Sequence, residues 1–155
     1  MATLVEAIAV SLAPGIGLNA VIFYNTSLQN RFIYITGRTR EVNREARTLR
    51  DATDPLGRER LASLRYQVDL LSRRSQIVRR SILVVYIALI GLVLTILELL
   101  VLAAASIPGL EFASLLTFGA ALVAMSIATM LSWSETYLSQ RTILEDIRTS
   151  FPPPT

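Results

Sequence analysis

Apolar residues along this chain gather into three long runs separated by polar sequence. The first covers residues 4–28 and is interrupted only by Glu6. The second covers 81–107 and carries one acid, Glu98; the third covers 110–133 and has no charge after Glu111. Each exceeds the roughly 20 residues that a helix needs to cross a hydrocarbon core of about 30 Å. Three uninterrupted runs of this length would leave a soluble helix bundle without a polar outer face. The pattern predicts an all-α integral membrane protein with three transmembrane helices: residues 1–28, residues 81–107, and residues 108–134 with the outer turn at Pro108-Gly109.

Between the first two runs the pattern changes period. Leu28, Phe32, Ile35, Thr39, Val42, Ala46 and Leu49 alternate steps of four and three, as do Leu61, Leu64, Val68, Leu71, Ser75, Val78 and Ile82. Such spacing makes the seam of a coiled coil. Asp54 followed by Pro55 is a helix-start signal, because the carboxylate can cap the helix and proline suits its first position. Residues 29–80 should therefore fold as an antiparallel coiled-coil hairpin, its arms running into the spans without a break. Gly37 is the weak point of the first arm, at a cost of about 1 kcal/mol against alanine. After Trp133, residues 135–147 read as a short amphipathic helix along the inner surface. The sequence Phe151-Pro152-Pro153-Pro154-Thr155 reads as an extended tail.

Composition sharpens this picture. The mean hydropathy is +0.50 over 155 residues, a value that points to a membrane. With no cysteine and no histidine, disulfides, thiol nucleophiles, histidine triads and the common metal sites are excluded. All basic residues are arginine, so a phosphate-binding loop, which needs its lysine, is excluded as well. No metal, cofactor or catalytic set is expected, and the protein reads as a non-enzyme.

Thirteen of the fifteen arginines lie between Arg31 and Arg80, and the other two, Arg141 and Arg148, follow the third run. Positive charge stays on the cytoplasmic side, which predicts an outside N-terminus and a cytoplasmic hairpin and C-terminus. Nothing before Glu6 is basic and the first run is too long for the core of a signal peptide, so it is read as a retained span. The hairpin's arginines are interleaved with acids and accompanied by no reading motif, so nucleic acid is not an expected partner. Arg73, Arg74, Arg79 and Arg80, next to the membrane, are candidate contacts for anionic lipid headgroups.

Small and polar residues within the spans form faces. Ser11, Gly15 and Asn19 are four apart, with Gly17 on an adjacent small-residue face, and Pro14 should bend the helix. Ala88, Gly91, Thr95 and Glu98 share a face of span two, and Ala120, Ala124 and Ala128 form a stripe on span three. Small residues let helix backbones approach closely in lipid. Gly15, Gly17, Gly91, Ala120, Ala124 and Ala128 are therefore the candidate packing positions, with the polar faces of spans one and two together. Glu98 is an acid well inside an apolar run, and such carboxylates mark ion or proton pathways. The candidate pathway is Glu98, Thr95, Asn19 and Ser11.

On these residues the chain resembles a bacterial, cyanobacterial-type family of small three-span membrane proteins known as a domain of unknown function. The resemblance is carried by Ala13-Pro14, Asn30-Arg31, Arg38, Arg40, Asn43, Leu70-Leu71, Arg73-Arg74 and Arg79-Arg80, and covers most of residues 5–135. It implies a bacterial inner or thylakoid-type membrane and no particular activity. In topology the chain is also similar to YidC/Oxa-type insertases, which follow an N-out span with a cytoplasmic hairpin. Those use a polar groove commonly holding a basic residue, whereas no arginine lies inside a span here. Three functions follow as expectations: an oligomerising scaffold or accessory subunit of a membrane complex, a homo-oligomeric cation channel or proton-coupled transporter using Glu98, and an insertase.

Overall fold

The structure is a computed structural model. It describes residues 4–50, 54–105 and 107–150, with side chains for 12–50, 54–105, 107–137 and 139. The proline-rich tail and the side chains of Ser11, Arg141 and Arg148 lie outside the described residues. Among those described, the chain is all helical: α1 covers Leu4–Thr48, α2 Pro55–Ala104 and α3 Leu110–Ser150.

The ends of the helices follow from local chemistry. Asp54 caps α2 as its sequence predicts, with Oδ2 accepting the Gly57 amide at 2.9 Å. That satisfies one of the donors that a helix N-terminus leaves without a partner. The turn before α3 passes through Gly109 at φ 86°, a conformation that costs glycine little and other residues more. Helix α3 departs from expectation. It runs through Trp133 to Ser150 as one helix, where a separate short helix over 135–147 was expected. The reason is that no proline or glycine occurs between Ala120 and Ser150, so nothing breaks the hydrogen-bond ladder.

Burial recurs every seven residues on each helix. The positions are Pro14, Val21, Leu28, Ile35 and Val42 on α1; Leu64, Val78, Val85 and Leu92 on α2; and Ser114, Ala121, Ala128 and Glu135 on α3. A seven-residue repeat keeps one seam of a helix facing its neighbours. All the seam positions read from the sequence in residues 28–49 and 61–82 are buried or half-buried.

The chain divides into two compact units. The first comprises residues 1–29 and 80–129; the second comprises 30–79 and 130–155. In the first, Val21, Leu28, Val85, Leu92, Ala121 and Ala128 form the core, with Leu18, Tyr24, Ile82 and Phe118 packed against it. Its outside carries many apolar side chains: Phe23, Ile87, Ile90, Leu97, Leu115, Val123 and Ile127 are all exposed. In the second, Ile35, Val42, Leu64 and Val78 are buried beneath a charged surface.

Among the described residues, two helices are long and apolar enough to cross a membrane, within Pro55–Ala104 and Leu110–Tyr137. Only 22% and 17% of their apolar windows are buried. The core helix of a soluble protein would bury most of such a window, so these stretches have the exposure that lipid contact requires. The apolar run 4–28 forms the N-terminal part of α1.

Candidate functional site

Polar groups set among apolar side chains occur in both units. In the first unit, Glu98 of α2 faces α3. Its Oε1 accepts the Thr117 hydroxyl at 3.2 Å, and its Oε2 is buried with no hydrogen-bond partner among the described residues. Thr95 is buried and donates to the Gly91 carbonyl one turn back, at 2.9 Å. It also lines an apolar cleft of about 360 Å³ with Ala13, Pro14, Leu99, Ser114 and Phe118. Elsewhere in the first unit, Asn25 is buried, its Oδ1 again without a partner among the described residues. Tyr24 donates to the Ala128 carbonyl at 3.4 Å, and Gln29 donates to the Tyr86 hydroxyl at 3.1 Å.

Of the expected pathway, the Ser11 side chain lies outside the described residues, and Asn19 does not join Thr95 and Glu98. Asn19 is exposed, and Glu98 has turned to Thr117 instead. The inward seam of α1 is set by Pro14, Val21 and Leu28. Asn19, two residues before Val21, lies about 200° around the helix from it. Asn25, four residues after Val21 and three before Leu28, is the amide that the seam takes in.

Close packing is equally selective. A Cβ placed on Gly91 would lie 2.9 Å from Ala121 Cβ, so α2 and α3 meet there at a distance only glycine permits. A Cβ placed on Gly17 would meet Leu92 at ordinary contact, 3.9 Å, whereas one on Gly15 would meet nothing within 4 Å. On α3, Ala124 and Ala128 are buried but Ala120 is exposed. The stripe is therefore Ala121, Ala124 and Ala128, because the buried seam returns at seven and not at four.

In the second unit the central group is Glu135, which sequence reasoning missed. Its side chain is only 4% exposed, and Arg74, at 24%, binds it. Arg74 Nε and Nη2 both donate to Oε1, at 2.9 and 2.7 Å. Arg31 of α1 reaches Oε2 at 3.6 Å and donates to the Thr136 hydroxyl at 3.4 Å. One carboxylate thus ties α1, α2 and α3 together. Arg74, expected at lipid headgroups, has its guanidinium taken up by this pair, while Arg73, Arg79 and Arg80 remain exposed. Arg73 donates to Asp69 one turn back, at 3.0 Å.

Residues 11–144 match a family described as proteins of unknown function, DUF2721. The chain belongs to that family. The match takes in every group of both polar sites. No curated protein and no solved structure matches the chain. The DUF2721 assignment carries no activity with it, so function rests on the residues themselves.

Proposed function

We infer that the protein is a small, non-enzymatic integral membrane protein that holds an oligomer or a larger membrane complex together by helix packing. In this reading α1 supplies a third span through residues 4–28, the N-terminus is outside, and residues 29–80 form a coiled-coil hairpin in the cytoplasm of a bacterial inner or thylakoid-type membrane. The arginine distribution supports that orientation. Exposed Arg73, Arg79 and Arg80 meet anionic headgroups at the inner surface.

The observation that carries the reading is the outward face of α1. Asn19 points away from α2 and α3, and Gly15, one turn before it, has open space around it. An amide left in hydrocarbon without a partner is costly, and interhelical amide hydrogen bonds relieve that cost. A small residue beside the amide lets a partner helix come close. The native mass of the particle in nanodiscs, with bound components identified, tests this. Wild-type protein should run as a multimer or with a larger complex, and Asn19→Leu should release the single chain. A wild-type monomer with no companion rules the reading out.

A second reading is favoured by one further observation, the partnerless Oε2 of Glu98. In a ring of chains this carboxylate would serve a cation channel or proton-coupled transporter. Ion flux into liposomes that is lost in Glu98→Gln supports it; flux equal in both proteins removes it.

A further inference from the structure

The two clefts between the arms of the second unit differ in charge. One, of about 530 Å³, is lined by Arg38 and Arg60 together with Glu45 and Glu59. Its arginines are neutralised: Arg60 donates to Glu45 at 3.1 and 2.6 Å, and Arg38 to Glu41 at 2.6 Å. That hydrogen bond, and then the carboxylate's charge, raise the Arg38 pKa above its ordinary value. The other cleft, of about 220 Å³, is lined by Asn43, Arg47 and Arg50 of the first arm and its C-terminal turn, with Leu61, Arg65 and Val68 of the second. Among the described residues it contains no acid, and none of its three arginines has a carboxylate partner.

Helix electrostatics account for part of this cluster. Arg47 stands in the last turn of α1 and Arg50 just beyond, where cations complement the helix dipole. Arg65 has no such role, since it lies in the interior of α2. It nonetheless contributes to the same concavity from the opposite helix, beside the Asn43 amide. Planar guanidiniums from two elements around one small cleft match the oxygens of a phosphate group.

We propose that this cleft binds a phosphate-bearing anion, held by Arg47, Arg50 and Arg65 with Asn43 as a neutral hydrogen-bonding partner. The site does not depend on the oligomer reading. Arg65 lies 8 residues before Arg73, the nearest of the arginines assigned to the inner surface, about 12 Å along the helix and farther than an arginine side chain extends. A headgroup of the membrane at the foot of the hairpin is therefore out of reach. The ligand is either a free phosphate compound or a headgroup of a second, apposed membrane.

The experiment uses the full chain in zwitterionic nanodiscs, with inorganic pyrophosphate as one probe and phosphatidylglycerol vesicles as the other. Saturable binding of pyrophosphate identifies a free phosphate ligand; capture of vesicles alone identifies a headgroup. In whichever arm binds, Arg47→Gln and Arg65→Gln should each weaken binding about tenfold, the worth of one charged hydrogen bond. Arg65→Lys should recover part of it, and Arg38→Gln should leave it intact. The proposal fails if neither probe binds. It fails equally if Arg38→Gln weakens binding as much as Arg65→Gln, which would show diffuse attraction to a basic surface.

Discussion

Arg74 and Glu135 are joined by two hydrogen bonds that end on one oxygen, from Nε at 2.9 Å and from Nη2 at 2.7 Å. The carboxylate is almost wholly enclosed, while the guanidinium keeps some contact with solvent. The two partners are therefore unequal when one is removed. Without Arg74, Glu135 is a buried charge left with the longer 3.6 Å contact to Arg31. Without the carboxylate's charge, Arg74 can still turn toward water.

Arg74→Ala should accordingly cost more stability than Glu135→Gln. We expect about 2–4 kcal/mol for the first, toward the lower part of the range for broken buried pairs because Arg31 remains. For the second we expect about 1–2 kcal/mol, since glutamine can still accept a hydrogen bond. Thermal unfolding of the two variants in one detergent gives the order, and equal losses would contradict the asymmetry.

How far these groups could be read from the sequence depended on period. The buried positions of residues 28–49 and 61–82 were legible because Leu28 to Leu49 and Leu61 to Ile82 repeat in threes and fours, and each repeat is local. Asp54-Pro55 was legible because a cap is a contact over three residues. Glu135 was not, because its partner lies 61 residues away and it sits just past an apolar run, where an acid reads as an exit into water. One signal would have found it. Ser114, Ala121 and Ala128 step by seven, and the next step is Glu135. The same step picks Ala121 over Ala120, and the seam it sets on α1, Val21 and Leu28, takes in Asn25 between them and leaves Asn19 outside. In those cases a spacing of four was followed where the helix holds its seam at seven.

Asp54→Ala should destabilise the protein by about 1 kcal/mol, the usual worth of an N-cap. The loss belongs to the Gly57 amide, which Oδ2 accepts at 2.9 Å. Asp54→Asn keeps an accepting oxygen and should recover most of it. Amide exchange at Gly57 provides the local readout: protection there should fall in the alanine variant and return in the asparagine variant.

Gly37→Ala should be stabilising. The residue is helical and exposed, and an added Cβ meets nothing within 4 Å. Alanine restricts the unfolded chain and favours the helix, a gain of about 0.5–1 kcal/mol. A loss of stability would mean that a partner occupies the space beside Gly37.

Gly91→Ala should do the opposite, and its remedy is specific. The new methyl would stand 2.9 Å from Ala121 Cβ and 3.5 Å from its Cα. Neither atom belongs to a flexible side chain, so α2 and α3 must separate locally. Overpacking of this kind costs about 1–3 kcal/mol. Ala121→Gly removes the opposing methyl and should be mildly destabilising by itself, through lost helix propensity and packing. The double variant exchanges the two residues across the same contact, so its methyl occupies the space the first one left. It should therefore be more stable than the sum of the single losses predicts, with a coupling of about 1 kcal/mol or more, as neighbouring sites show. Additive losses in thermal unfolding would mean that α2 and α3 do not meet at Gly91 and Ala121.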